Sequence, residues 1–144
     1  MNYTIRKCRI EDAAAIQRIN AEDLGYDYSP EETKEKLTML LASDKDMIFV
    51  AEVDGEVAGY VHANDYDLIY APSMKNIMGI AVSGKCRRMG IGRALLEKVE
   101  QWAAQTGTKG VRLVSGGTRL GAHEFYRRQG YGEGRQQLNF KKWL

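Results

Sequence analysis

Two prolines, two cysteines and two histidines in 144 residues exclude several kinds of protein at once. With so little proline and no low-complexity tract, the chain is not composed as a disordered segment. Cys8 and Cys86 lie far apart and lack the spacing of metal ligands. Free thiols in a reducing cytoplasm are therefore expected, with neither a disulfide nor a zinc site. Long hydrophobic runs are also missing. The longest is Met47-Ile48-Phe49-Val50-Ala51, against the roughly 20 residues that a membrane span needs. No apolar stretch follows the basic residues Arg6 and Lys7, as it would in a signal peptide. A cytoplasmic location and no membrane partner are the expectation.

What is present suits a globular chain. Hydrophobic residues make up 44% and charged residues 28%, and the length fits a single domain over 1–144. The net charge of +2 conceals a division. Residues 1–84 hold 15 acidic against 8 basic side chains, and residues 85–144 hold 4 against 13. Such a chain can draw an anionic ligand to one part and a cationic one to another. The basic residues are not interleaved with aromatics, and no helix-turn-helix or zinc pattern stands out, so no nucleic-acid partner is expected.

Periodicity orders the elements. Residues 3–8 read as a strand, followed by a helix opened by Glu11 or Asp12, with Ala13, Ile16, Ile19 and Asn20 on one stripe and its end near Gly25. Ser29, Pro30 and Glu32 mark the start of a second helix that turns Leu37, Leu40 and Leu41 inward. Residues 47–53 and 56–64 flank Asp54-Gly55, a strong hairpin signal. A further strand over 76–82 precedes a helix over 91–106 whose stripe is Ile91, Leu95, Val99, Trp102 and Ala103. A strand over 111–115, a helix over 121–129 and one or two final strands within 131–143 complete the order. Antiparallel strands followed by a βαβ unit imply an α+β fold in three layers, a mixed central sheet with helices on both faces.

Between the strand at 76–82 and the following helix lies Ser83-Gly84-Lys85-Cys86-Arg87-Arg88-Met89-Gly90-Ile91-Gly92. A helix start offers unpaired N–H groups and the positive end of the helix dipole. Gly90 and Gly92 remove the β-carbons that would hold a ligand off the backbone, and Arg87, Arg88 and Arg93 add guanidinium groups suited to phosphate oxygens. Together these describe a pyrophosphate cradle. It is neither a P-loop, since G-x-x-x-x-G-K-S/T is absent, nor a Rossmann turn, since Leu95 stands at the third glycine position.

Residues 82–92 resemble the acetyl-CoA motif of the GNAT acetyltransferase superfamily. That motif is a strand ending in Val, then Gln or Arg, two residues, Gly, one residue and Gly or Ala at a helix start. Arg87, Gly90 and Gly92 match it in position. Ala122, Phe125, Tyr126, Gly130 and Tyr131 are similar to its second half. Many members have proline where Gly84 stands, a position the resemblance treats as a simple turn. Many carry asparagine where this chain has Arg119. The element order agrees with the GNAT fold over nearly the whole chain.

The resemblance implies transfer of an acetyl group from acetyl-CoA to a primary amine, on a small molecule or a protein, by direct attack on the thioester. It further implies that the strand backbone at Ile80, Ala81 and Val82 pairs with the pantetheine arm and donates an N–H to the oxyanion. Arg87, Arg88, Met89, Gly90, Ile91, Gly92 and Arg93 would then hold the diphosphate, with Arg119 near the arm. Tyr126 matches the position of the proton donor to the departing thiolate. The acceptor wall is the loop between the first two helices, here Tyr26, Asp27 and Tyr28 beside Glu22, whose charge and rings favour a cationic amine. Glu22, Asp23, Asp27 and His62 all have the chemistry of a base. His123 reads as a packing residue. Monomer and homodimer are both compatible with the sequence. Two rival readings are a non-catalytic acyl-CoA sensor on the same fold and a nucleotide-binding protein using the basic half.

Overall fold

The computed structural model describes residues 2–132 and 134–144. The chain divides into a first unit, Met1–Leu113, and a second, Val114–Leu144.

The first unit is one five-stranded sheet in the order β1 (Tyr3–Lys7), β2 (Asp46–Val53), β3 (Glu56–Leu68), β4 (Ala71–Val82) and β5 (Val111–Leu113). All neighbours are antiparallel except β4 and β5. That parallel pair is joined through helix α3 (Ile91–Gln105), the expected βαβ unit. Asp54 and Gly55 both take positive φ, 50° and 81°, which lets a two-residue turn follow the twist of β2 and β3.

Helices cover both faces. Helices α1 (Ala13–Leu24) and α2 (Pro30–Leu41) close one side. There Ala13, Ile16 and Leu37 pack with Ile48, Val50 and the ring of Tyr60. On the other side α3 buries Ile91, Leu95, Leu96, Val99, Trp102 and Ala103. Starts and stops follow their chemistry. Ser29 Oγ accepts the Glu32 N–H at 3.0 Å to open α2, and Gly25 at φ 73° ends α1. Asp12 does not open α1 directly. It ends a short 3-10 turn (Ile10–Asp12), where its carboxylate accepts the Arg9 N–H and both terminal nitrogens of Arg6. Leu41, expected inside, is exposed on the last turn of α2.

The β3–β4 hairpin is longer than the sequence pattern suggests. β3 continues past Asn64 to Leu68, and β4 begins at Ala71. Asp65 faces Lys75 across the ladder, and Asp67 and Ser73 meet at the irregularity near its end. Lys75 Nζ donates to Asp65 at 2.6 Å, and Ser73 Oγ donates to Asp67. The buried Lys75 ammonium also lies 4.0 Å over the Trp102 ring, so its charge is met from both sides.

The second unit holds α4 (Leu120–Arg128), ended near Gly130 at φ 91°. The expected final strands are absent among the described residues of 131–144. Leu138 and Phe140 alternate as in a strand, but propensity makes no strand without a ladder partner, and the described residues of this unit contain none.

Candidate functional site

β4 ends at Val82, and the chain makes a second 3-10 turn (Gly84–Cys86) before α3. Arg88 takes φ 67°, unusual for a residue with a β-carbon, and Gly90 takes φ 81° as the residue preceding α3. No side chain caps this helix. The amides of its first turn are therefore available to an anion, along the axis of a 15-residue dipole. The arrangement is held from below by Ile91, 1% exposed, and from the side by Tyr3, whose hydroxyl donates to the Gly90 carbonyl at 3.2 Å. Tyr3 was invisible to sequence reasoning, because β1 and this loop lie 87 residues apart.

The predicted cradle residues do gather here, with different freedoms. Arg87 keeps an exposed guanidinium. Arg93 is paired along the helix with Glu97 at 2.9 Å. Nothing but the Tyr3 hydroxyl, at 3.5 Å, would meet a β-carbon on Gly90, so that approach is open. A diphosphate fits this donor set: uncapped amides, an open glycine and an exposed guanidinium.

Ile80, Ala81 and Val82 pair with Val61, Tyr60 and Gly59 on one edge. Their other edge has no strand partner among the described residues, because β5 pairs only with Lys75, Asn76 and Ile77. The ladder irregularity at His62 and Ala63 falls where the two neighbours of β4 part. Beyond it, β4 has backbone groups without a ladder partner among the described residues, with which an extended ligand can pair.

On the α1–α2 face a cavity of about 330 Å³ is lined by Gln17, Asn20, Tyr26, Asp27, Tyr28 and Thr33. The loop that forms its wall is fixed at both ends. Tyr26 N–H donates to the Asn20 carbonyl at 3.0 Å, and Gln17 Nε2 donates to the Tyr28 carbonyl at 3.1 Å. Tyr26, Asp27 and Tyr28 share this one lining, whereas Glu22 is an exposed α1 residue outside it. Sequence reasoning missed Gln17 and Thr33, whose helical spacing carries no ligand signal. It also missed Tyr60, whose hydroxyl donates to Asn20 Oδ1 at 2.6 Å. Burial raises the Tyr60 phenol above its ordinary pKa, against the opposing pull of Asn20.

Two of the four possible bases are otherwise engaged. His62 Nε2 lies 2.7 Å from Asp46. Asp23 accepts the Gly84 N–H at 2.9 Å, with Arg87 at 4.0 Å. Position 84 is therefore more than the simple turn expected of it. Its N–H is used, and a proline would have none.

In the second unit, Tyr126 packs edge-on against Phe125 and Tyr131. Burial pushes its phenol pKa up, and the positive charge of Arg119 partly offsets this. His123 bonds the Gly116 carbonyl at 2.8 Å, in keeping with a packing role.

The fold is one that acetyltransferases carry. The structure of aminoglycoside N-acetyltransferase AAC(6')-Iy in complex with CoA aligns with a TM-score of 0.88 at 16% identity, covering 99% of this chain and 96% of that one. Residues 13–131 match the acetyltransferase (GNAT) family. An uncharacterized N-acetyltransferase of Archaeoglobus fulgidus is 33% identical over 132 residues, covering 87% of this chain and 90% of that protein. The aminoglycoside N(6')-acetyltransferase type 1 of Stenotrophomonas maltophilia is 27% identical over 143 residues, covering 96% and 92%. The chain belongs to the GNAT family and is an acetyltransferase. No helix among its described residues is long and apolar enough to cross a membrane.

Proposed function

We propose that the chain transfers the acetyl group of acetyl-CoA to a primary amine on a small polycationic molecule. The observation that carries this reading is the uncapped start of α3 beside the unpaired edge of β4. One is a site for a diphosphate and the other for an extended amide-bearing arm. The amides at Ile91, Gly92 and Arg93, with the guanidinium of Arg87 and the adjacent Arg88 and Met89, hold the diphosphate. The β4 backbone at Ile80, Ala81 and Val82 holds the pantetheine arm and supplies a donor to the thioester oxygen as it gains charge. Arg119 acts on the same arm in place of the family asparagine.

The amine nitrogen would attack the thioester carbon as the C–S bond breaks, and its proton would pass to solvent water, from which Tyr126 would be reprotonated after protonating the sulfur. Tyr126 gives its phenolic proton to the departing sulfur. Burial raises its pKa above that of an ordinary phenol, a group already protonated at neutral pH. Asp27, between Tyr26 and Tyr28 in the cavity wall, attracts a second ammonium of the acceptor, and the rings offer their faces to it. The aminoglycoside acetyltransferase of Stenotrophomonas maltophilia supports an acceptor with several amines. The test is release of free thiol from acetyl-CoA in the presence of sisomicin, spermidine or a peptide with a free N-terminus. Faster release with sisomicin or spermidine is expected. Release that no amine accelerates would overturn the proposal, and release with the peptide alone would move the acceptor to protein amines.

A further inference from the structure

The Asp23–Gly84 hydrogen bond joins the two halves of the site. Asp23 belongs to the last turn of α1, directly before the Gly25-Tyr26-Asp27-Tyr28 wall of the cavity. Gly84 opens the 3-10 turn that leads to Arg87 and the cradle. The bond spans 61 positions in sequence, and the carboxylate is only 15% exposed, so water competes weakly for it. A β-carbon on Gly84 would stand 3.0 Å from Asp23 Oδ1, which makes glycine the residue that lets the carboxylate approach. Arg87, by contrast, is held loosely. Its nearest terminal nitrogen lies 4.0 Å from the same carboxylate, and its side chain is 64% exposed.

We propose that Asp23 is a positioning residue that couples the cofactor cradle to the acceptor wall through the Gly84 N–H. Without a ligand, the segment 84–87 is fixed at its Gly84 end and free at its Arg87 end. Seating Arg87 on a diphosphate fixes the second end. The Gly84 amide and the Asp23 carboxylate then lose their remaining freedom, and α1's last turn and the wall at 25–28 are ordered with them. By linkage, an acceptor that orders the wall must tighten the cradle by the same factor. The coupling rests on the cradle binding coenzyme A, as proposed above.

The test uses coenzyme A alone, so it needs no acceptor. Its dissociation constant and its effect on amide hydrogen exchange are measured for wild type, Asp23→Ala, Asp23→Asn and Gly84→Pro. Proline suits position 84 locally, because Ser83 is extended at ψ 137° and the first position of a helical turn needs no N–H. In wild type, coenzyme A should slow exchange both in 84–92 and in 25–28, the latter about fivefold or more. Asp23→Asn keeps an oxygen to accept the Gly84 N–H and should keep both effects. Asp23→Ala and Gly84→Pro break the bond from opposite ends. Both should keep coenzyme A affinity within about threefold and protection at 84–92, while losing protection at 25–28. Protection at 25–28 that survives in both variants, or that is missing in a wild type that binds coenzyme A, overturns the coupling alone. A wild type that does not bind coenzyme A overturns the cofactor reading and the coupling with it.

Discussion

Asp12 is buried and Tyr126 half-buried, and their surroundings send their pKa values in opposite directions. Burial alone would raise the Asp12 pKa, but two bonds from Arg6 and one from the Arg9 N–H outweigh it and hold the carboxyl below its ordinary range. A carboxyl depressed on folding contributes stability above its unfolded pKa of about 4, and that contribution is lost as pH falls through the folded value. Asp12→Asn should cost about 1–3 kcal/mol at pH 7 and flatten the loss of stability between pH 5 and pH 3. Urea melts of both proteins across that range would show it, and parallel curves would exclude Asp12 as the cause. Burial moves the Tyr126 phenol the other way, upward, and the charge of Arg119 only partly offsets it. Tyr126→Phe keeps the ring contacts with Phe125 and Tyr131 while removing the proton. Its single-turnover rate should fall about 10²-fold, the low end for a general acid, with coenzyme A affinity unchanged. Equal losses in rate and affinity would mean that the hydroxyl binds the thioester in the ground state. An unchanged rate would remove Tyr126 from the mechanism. Single residues were legible in position where a motif marks a helix start, as at Arg87 and Gly90 before α3. They were illegible where their role depends on a distant partner, as at Tyr3, Asp23 and Tyr60.

Elements were legible in proportion to how locally their causes act. Helix α3 could be read from its stripe, and the β2–β3 turn from Asp54-Gly55, because spacing and turn chemistry decide both. The β3–β4 extension could not, because Asp65 and Lys75 look like loop residues until the ladder sets them opposite each other. The tail failed in the other direction, since its alternation is real but its pairing is not. The start of α3 gives the prediction at this scale. Gly90→Val puts a branched side chain at φ 81°, which costs about 1–2 kcal/mol or more in free protein. It also sets that side chain against the Tyr3 hydroxyl and over the uncapped amides. Coenzyme A affinity should fall at least about tenfold, more than the loss of stability alone explains. Calorimetric binding to the folded fraction separates the two effects. A destabilised variant that binds normally would make Gly90 a turn residue and nothing more.

At the scale of the whole molecule, charge bears on the proposed cofactor binding. The acidic balance of residues 1–84 and the basic balance of 85–144 suit a protein that receives an anionic donor and a cationic acceptor. A ligand that binds only the folded state stabilises it by about 2.7 kcal/mol at 100 times its dissociation constant. For a chain of 144 residues this corresponds to a rise in Tm of roughly 8–11 °C, taking about 3–4 °C per kcal/mol. Acetyl-CoA at that concentration should produce the shift, and desulfo-coenzyme A, which keeps the diphosphate and arm, should produce most of it. Pyrophosphate alone engages only the cradle and should give a smaller shift that salt abolishes, because the exposed guanidinium of Arg87 is screened within a Debye length of about 10 Å at 0.1 M. Equal shifts from pyrophosphate and acetyl-CoA would confine binding to the start of α3 and leave the edge of β4 without a ligand. A melt that saturating acetyl-CoA leaves unmoved would remove the cofactor assignment altogether.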